Sequence, residues 1–186
     1  MSEHVLVLGG ARSGKTGFAE RLAMRAGDRP LYLATAEALD AEMKERVATH
    51  QRSRHGRFET LEEPLALGEA LERAAMSHDV VLVDCLTLWL SNLLGAGRDV
   101  AAAVEGLGRT LSGLEDTRVI LVSNEVGLGI VPDNALARSF RDLAGSTHQR
   151  LGEICTDVYF VAAGLPLTLK GRRPEESQEP ERPHSA

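Results

Sequence analysis

A glycine-rich segment at residues 9–16 constrains this chain more than any other part of its sequence. It reads GGARSGKT and matches the pattern G-x-x-x-x-G-K-[ST] in full. The apolar run VLVL precedes it, and a stretch with helical periodicity follows it. Glycines let successive backbone N–H groups point into one concavity, and the N-terminus of the next helix adds its positive dipole. The motif and its context therefore predict a strand, a phosphate-binding loop and a helix.

Two side chains of this loop have predicted chemical roles. Lys15 would reach the β- and γ-phosphates of a nucleoside triphosphate, and Thr16 would offer its hydroxyl to Mg²⁺. A simple glycine turn between strand and helix is the alternative interpretation, and the complete pattern in its context favours the nucleotide site. The predicted phosphate-binding residues are Gly9, Gly10, Ala11, Arg12, Ser13, Gly14, Lys15 and Thr16.

Short apolar runs alternate with helical periodicity along the 186 residues. Strands are predicted at 5–8, 31–34, 80–83, 119–122 and 158–161, with a further short one at 167–169. Helices are predicted at 15–26, 40–50, 64–76, 88–94, 100–114 and 134–155. Nearly continuous apolar strands are typical of parallel sheets that are covered on both faces. With the phosphate loop, this pattern predicts an α/β fold that is P-loop NTPase-like (RecA-like), with a mostly parallel central sheet flanked by helices.

The end of the chain differs in composition from the rest. Residues 171–186 contain three of the seven prolines and no large apolar side chain, so they cannot offset their ordering entropy by burial. We expect a single catalytic domain at 1–170 and a disordered tail at 171–186, to which the sequence assigns no role.

Composition excludes several classes of function. The net charge is -6, whereas general nucleic-acid binders carry a basic excess, so no nucleic-acid partner is expected. No apolar run approaches the roughly 20 residues that span a bilayer, and the N-terminus does not resemble a signal peptide. The cytoplasm is the expected compartment. Cys85 and Cys155 are far apart in apolar contexts and are interpreted as core residues.

Acidic and amide side chains follow two of the predicted strands. Asp84 comes directly after the apolar run at 80–83, where a carboxylate would hold Mg²⁺ in the Walker B arrangement. The alternative is that Asp84 caps the following turn. Asn124 and Glu125 follow the strand at 119–122 and are expected over the same crevice, with a role that the sequence leaves open.

The phosphate loop alone does not separate an ATPase, a GTPase switch and a kinase. A GTPase usually reads guanine with N-K-x-D after a strand. The nearest equivalent, SNEV at 123–126, lacks the lysine and the spaced aspartate, which disfavours the GTPase switch.

Five further blocks are more specific than the loop. They resemble, one after another, the bifunctional adenosylcobinamide kinase / adenosylcobinamide-phosphate guanylyltransferase family of cobalamin biosynthesis, over about residues 4–170. The blocks are ATAEALDAEM at 34–43, RVATH at 46–50, LEEPL at 61–65, DCLTLWLSN at 84–92 and SNEVGLGIVPDN at 123–134.

The resemblance implies an enzyme with two reactions. ATP or GTP phosphorylates the hydroxyl of adenosylcobinamide, and GMP is then transferred from GTP to adenosylcobinamide phosphate. It also implies Mg²⁺ as cofactor, the two corrinoids as substrates, and a homo-oligomer, namely a trimer. His50 is similar to the family's guanylylated histidine, and an imidazole nitrogen can attack an α-phosphorus. Nearby His55 is the competing histidine.

The resemblance extends the nucleotide site beyond the loop and Asp84. The residues that it adds are Ala34, Thr35, Ala36, Gln51, Arg52, Ser53, Arg54 and Glu62. Two alternatives stay open from the sequence: a small-molecule kinase in which His50 is inert, and a nucleotide-dependent regulatory switch.

Overall fold

A computed structural model describes residues 3–36 and 56–174, and the described strands form one seven-stranded sheet. The strands are β1 (Val5–Gly9), β2 (Leu31–Ala34), β3 (Glu59–Glu62), β4 (Val80–Asp84), β5 (Arg118–Asn124), β6 (Asp157–Ala162) and β7 (Leu165–Lys170). Their order across the sheet is β3-β2-β4-β5-β1-β6-β7. All neighbouring strands are parallel except β7, which is antiparallel to β6. The predicted mostly parallel α/β sheet is confirmed.

Five helices connect these strands within the described residues. They are α1 (Lys15–Ala26), α2 (Leu67–Ala75), α3 (Leu86–Gly95), α4 (Val100–Gly113) and α5 (Ala135–Ile154). Helix α2 begins three residues later than predicted. The Glu63 carboxylate accepts the backbone N–H groups of Leu65 and Ala66, which holds that stretch as a turn. The predicted helix at 40–50 lies outside the described residues.

The sheet is covered on both faces, as the apolar strands predict. In β1, Val5 and Val7 belong to a core cluster with Phe18 of α1. The alternating residues Leu6 and Leu8 belong to the other cluster, which α2, α3, α4 and α5 build on the opposite face. Successive side chains of a strand point to opposite faces, so β1, an interior strand covered on both faces, is apolar throughout.

The sequence prediction missed strand β3. Its segment ETLE is polar, and three of its four residues are exposed. It pairs with β2 alone, with Leu31 opposite Glu59, so it forms an edge of the sheet and needs no apolar pattern. This is why the apolar runs gave no sign of it.

Both cysteines are free and buried, as predicted. Burial raises the pKa of the Cys155 thiol to about 12, so this thiol stays protonated. None of the helices in the described ranges is long and apolar enough to cross a membrane.

The first residues of the predicted tail make ordered contacts. The Arg172 guanidinium bonds Glu3 and the buried Asp157, at 2.5 Å and 3.2 Å. The Arg172 backbone N–H also donates to Asp157, and the Tyr159 hydroxyl donates to the Arg172 carbonyl. These contacts lie at the amino-terminal ends of β1 and β6. We therefore propose that the folded domain continues to about Pro174. Residues 175–186 lie outside the described part.

Truncation tests this boundary. A chain ending at Pro174 is expected to melt at the temperature of the full-length chain. A chain ending at Gly171 is expected to melt several degrees lower, because the buried Asp157 carboxylate loses its two bonds to Arg172 and, among the described residues, keeps an ion pair with Arg118 at 3.8 Å. Thermal denaturation of the two truncated chains side by side decides the matter, and equal melting temperatures would place the boundary at Gly171.

Candidate functional site

The loop between β1 and α1 is held in a shape that only glycine allows at two positions. A Cβ on Gly9 would lie 2.5 Å from the Val161 carbonyl oxygen and 2.6 Å from Ser13 Oγ. Gly14 has a φ of +91° and would place a Cβ 2.9 Å from the Cα of Gly164. The Gly164 N–H donates to the Ser13 carbonyl at 2.7 Å. The loop is therefore seated on the turn between β6 and β7.

Within the described part of the chain, two buried polar side chains of the loop are poorly satisfied, Lys15 because it has no carboxylate partner and Ser13 because it has no hydrogen-bond partner. Lys15 is only 8% exposed, and its Nζ donates to the Gly10 carbonyl at 3.1 Å, with no carboxylate in ion-pair range among the described residues. Ser13 Oγ is buried and has no hydrogen-bond partner there. A buried ammonium with one neutral acceptor, and a buried hydroxyl with none, are costly. A bound phosphate group would supply charged acceptors to Lys15, so the loop fits a nucleotide.

Asp84 ends β4 at the same edge of the sheet as the loop. Its Oδ2 accepts the Thr16 hydroxyl at 3.4 Å and the Tyr32 hydroxyl at 2.5 Å. Helix α3 begins after Cys85 without a side-chain cap, so the alternative role of Asp84 as a cap is not what the carboxylate does. Tyr32 was missed by the sequence prediction, since only the register of β2 against β4 brings it close.

The pair of Thr16 and Asp84 suits a magnesium ion. Mg²⁺ takes hard oxygen ligands and is commonly held by one or two protein oxygens together with phosphates and water. A hydroxyl and a carboxylate 3.4 Å apart beside the phosphate loop are such a donor set. No group of three or more His, Cys, Asp or Glu side chains that could hold a metal occurs in the described part of the chain.

Four more predicted residues lie at the same edge as Asp84, two of them aligned with it by strand register. Ala34 of β2 is opposite Asp84 on one side and opposite Glu62 of β3 on the other. Thr35 is fully buried, and its hydroxyl donates to the Cys85 carbonyl at 2.7 Å and accepts the Cys85 N–H at 2.9 Å. Thr35 thereby joins the ends of β2 and β4, and Ala36 follows it at the same edge.

Asn124 and Glu125 lie where the sequence analysis expected them, over the same crevice. Asn124 is opposite Gly9 in the register of β5 and β1, and its amide donates to the Thr87 hydroxyl of α3 at 3.1 Å. The backbone N–H of Glu125 donates to the Gly9 carbonyl at 3.0 Å. The end of β5 is therefore fixed between the phosphate loop and the start of α3.

A histidine that the sequence analysis did not single out lies behind Glu125. His148 of α5 is buried, with Nε2 2.7 Å from Ser123 Oγ and Nδ1 3.7 Å from Glu125 Oε2. Burial lowers the pKa of His148, and the nearby Glu125 carboxylate opposes this less strongly. No local pattern predicts the contact of His148 with Ser123, because the two residues are 25 positions apart in the sequence.

The remaining predicted site residues fall in the segment between Ala36 and Gly56. His50 and the competing His55 lie outside the described residues. The same holds for four residues that the family resemblance assigned to the nucleotide, namely Gln51, Arg52, Ser53 and Arg54.

Comparison with known proteins bears on both fold and family. A KaiC-like protein from the hyperthermophilic archaeon Pyrococcus horikoshii superposes with a TM-score of 0.50 at 15% identity, over 85% of this chain and 70% of that one. This similarity shows the fold alone, and the RecA-like P-loop NTPase architecture predicted from the sequence is confirmed.

Sequence relatives are much closer. The bifunctional adenosylcobalamin biosynthesis protein CobP of Pseudomonas aeruginosa is 49% identical over 172 residues, which cover 89% of this chain and 96% of that protein. The corresponding CobU protein of Salmonella typhimurium is 38% identical over 182 residues, covering 89% of this chain and 99% of that protein. Residues 5–169 also match the model of a family described as cobinamide kinase / cobinamide phosphate guanyltransferase. The chain belongs to that cobalamin-biosynthesis family.

Proposed function

We propose that this protein catalyses two successive reactions in the assembly of cobalamin. It phosphorylates adenosylcobinamide with ATP or GTP, and it then transfers GMP from GTP to adenosylcobinamide phosphate, giving adenosylcobinamide-GDP. The observation that carries the proposal is the loop at 9–16, with a buried lysine beside the pair of Thr16 and Asp84. Membership of the family supports the choice of corrinoid substrates.

In the first reaction the chain binds and orients the triphosphate. The backbone N–H groups of the loop donate to phosphate oxygens, and Lys15 neutralises charge on the β- and γ-phosphates. Thr16 and Asp84 would hold Mg²⁺, which when bound would supply further neutralisation of phosphate charge. These contacts stabilise a transition state whose charge is spread over phosphate oxygens, which is the main task in phosphoryl transfer.

In the second reaction we assign the nucleophile to His50. A ring nitrogen of His50 forms a bond to the α-phosphorus of GTP, the bond to the bridging oxygen breaks, and pyrophosphate leaves. A phosphate oxygen of adenosylcobinamide phosphate then attacks the same phosphorus, and the phosphorus–nitrogen bond breaks. This assignment is supported by the family resemblance of the block RVATH and by the chemistry of imidazole.

The other members of the proposed site hold nucleotide. They are the loop residues 9–16 with Ala34, Thr35, Ala36, Gln51, Arg52, Ser53, Arg54, Glu62 and Asp84. The register that aligns Ala34, Glu62 and Asp84 at one edge supports this grouping. A homotrimer is proposed as the assembly, on the family resemblance alone.

A double-label experiment tests the function. The protein is incubated with Mg²⁺, adenosylcobinamide, ATP labelled at the γ-phosphate and GTP labelled at the α-phosphate. The corrinoid product is expected to carry both labels, the first on the phosphate that derives from ATP and the second on the added GMP. A product that carries the γ-label alone would show that the protein is a kinase without guanylyltransferase activity. Nucleotide hydrolysis with no labelled corrinoid would indicate a regulatory switch.

Replacement of Asp84 tests the magnesium assignment. Asp84→Asn keeps the size of the side chain and removes its charge, so turnover in both reactions is expected to fall at least 10-fold and the Mg²⁺ concentration for half-maximal rate to rise. Asp116→Asn, at an exposed position before β5, is the matched control. Steady-state rates across a Mg²⁺ titration give the comparison, and an unchanged titration curve in Asp84→Asn would rule out a metal role.

A further inference from the structure

Three side chains at the carboxyl end of β5 form a cluster that phosphate binding leaves unused. His148 lies between the hydroxyl of Ser123, which is 2.7 Å from Nε2, and the carboxylate of Glu125, which is 3.7 Å from Nδ1. Ser123 is fully buried and His148 is 8% exposed. A buried imidazole beside a carboxylate at the edge of a nucleotide site calls for an explanation in terms of function or of packing.

The protonation of His148 follows from its surroundings. Burial dominates and lowers the pKa of the imidazole, so the ring is neutral near pH 7 and carries one N–H. In the tautomer with the hydrogen on Nε2, a nitrogen lone pair would point to the Glu125 carboxylate, which is unfavourable. In the other tautomer, with the hydrogen on Nδ1, an N–H group points to that carboxylate. Ser123 then donates its hydroxyl hydrogen to Nε2. The 3.7 Å between Nδ1 and Glu125 Oε2 is too long for a hydrogen bond. The N–H dipole of the ring nevertheless attracts the carboxylate and so orients it.

Glu125 is fixed beside the phosphate-binding loop by its backbone. Its N–H donates to the carbonyl of Gly9, the first residue of the phosphate loop. The preceding Asn124 bonds Thr87 of α3, three residues after Asp84. Glu125 thus directly follows β5, the strand that lies between β1 and β4, at the same edge of the sheet as the loop and Asp84.

The Glu125 carboxylate has acceptor capacity to spare. Oε1 accepts the N–H of Gly127 at 2.5 Å, and Oε2 is near His148. The side chain remains 21% exposed, so it reaches solvent at the crevice. An ionised carboxylate offers about four lone-pair positions, so at least one remains for an incoming hydroxyl.

We propose that Glu125 accepts the proton of the substrate hydroxyl in the kinase reaction and that His148 positions the Glu125 carboxylate. The inference rests on the proposed kinase function. The hydroxyl oxygen forms a bond to the γ-phosphorus, and the bond from that phosphorus to the β,γ-bridging oxygen breaks. The nucleoside diphosphate leaves, the hydroxyl proton moves to Glu125, and the carboxylic acid later returns that proton to water.

Glu125→Gln is the first test, because it keeps the shape of the side chain and removes the base. The kcat for corrinoid phosphorylation is expected to fall about 100-fold, at the lower end of the range for general bases. The dissociation constant of ATP is expected to stay within about twofold, since the proposal gives Glu125 no phosphate to hold. Labelling of the protein by α-labelled GTP should also persist, because attack by an imidazole nitrogen needs no base at this position.

Two glycines of the following loop provide a matched pair of variants. A Cβ on Gly127 would lie 2.8 Å from Glu125 Oε1, whereas a Cβ on Gly129 meets nothing within 4 Å, and neither glycine has a positive φ. Gly127→Ala must displace the carboxylate, which is the movable end of a side chain, so the fold tolerates it. We expect Gly127→Ala to lower the kinase kcat at least 10-fold and Gly129→Ala to leave it unchanged.

His148 is tested by two substitutions. His148→Leu removes both polar contacts and is expected to lower the kinase kcat about 10-fold while the KM for ATP stays constant. His148→Asn keeps a hydrogen-bonding group and should restore much of that loss. A residue with only a packing role would instead lower kinase activity, guanylylation and melting temperature together, and Asn would not rescue the kinase selectively.

The outcomes separate this inference from the proposed function. Wild-type protein that phosphorylates no corrinoid would overturn the proposed function itself. A working wild-type kinase with an undiminished kcat in folded Glu125→Gln would overturn the role of Glu125 alone. Equal kinase rates in Gly127→Ala and Gly129→Ala would also contradict it, since the displaced carboxylate would then be dispensable.

Discussion

Protein carrying His50→Ala is expected to take up no label when it is incubated with Mg²⁺ and GTP labelled at the α-phosphate. The covalent intermediate needs a nucleophilic ring nitrogen at one position, and alanine offers none. His55→Ala is the matched control, five residues further along, and should label normally. Denaturing gel electrophoresis followed by detection of the label gives the result directly.

The chemical stability of the protein–GMP bond and the activity in the kinase reaction provide two independent checks. A phosphorus–nitrogen bond to imidazole is cleaved by acid and survives base, so the wild-type label should have that stability. The kinase reaction is a separate displacement at the γ-phosphorus, so His50→Ala should still phosphorylate adenosylcobinamide. Acid-labile label in His50→Ala would overturn the assignment. Its presence there and its loss in His55→Ala would move the nucleophile to His55.

Loss of the Lys15 charge is expected to have a comparably large effect on both reactions. A hydrogen bond to a charged group contributes about 1.5 to 3 kcal/mol, so Lys15→Ala should weaken nucleotide binding by about 10- to 100-fold. Turnover should fall further, because charge on the transferred group develops at the same place. Isothermal titration calorimetry with GTP and with ATP measures the affinity.

Lys15→Met controls for packing. Lys15 is 8% exposed, so its carbon stem fills space as well as carrying charge. Met retains most of that volume without the ammonium group. If the charge matters, Met and Ala should lose affinity alike while Met keeps the wild-type melting temperature. Wild-type affinity in either folded variant would place the nucleotide elsewhere.

The parts of the fold that follow from local sequence were predictable. Helix α1 has the predicted bounds, Lys15–Ala26, because the phosphate loop sets its start and Gly27 follows its end. The apolar runs located β1, β2, β4, β5 and β6, since strands buried on both faces must be apolar. Strand β3 was not predicted, because a polar edge strand needs no apolar run.

The residues of the candidate site also differ in whether local sequence predicts them. The loop and Asp84 could be identified because motif and strand end are both local features of the sequence. Contacts made across the fold could not. Tyr32 reaches the Asp84 carboxylate through the register of β2 and β4, and His148 reaches Glu125 through the packing of α5 on β5. Spacing along the chain carries no signal for either pair.

The position of β1 has a consequence for how the chain matures on the ribosome. Its two sheet neighbours are β5 and β6, which are synthesised more than a hundred residues later. The loop that follows β1 also rests on Gly164. Strand β1 therefore stays unpaired, apolar on both faces, until almost the whole domain has emerged. A nascent chain cannot complete the proposed nucleotide site before that point, so nucleotide cannot assist the early stages of folding.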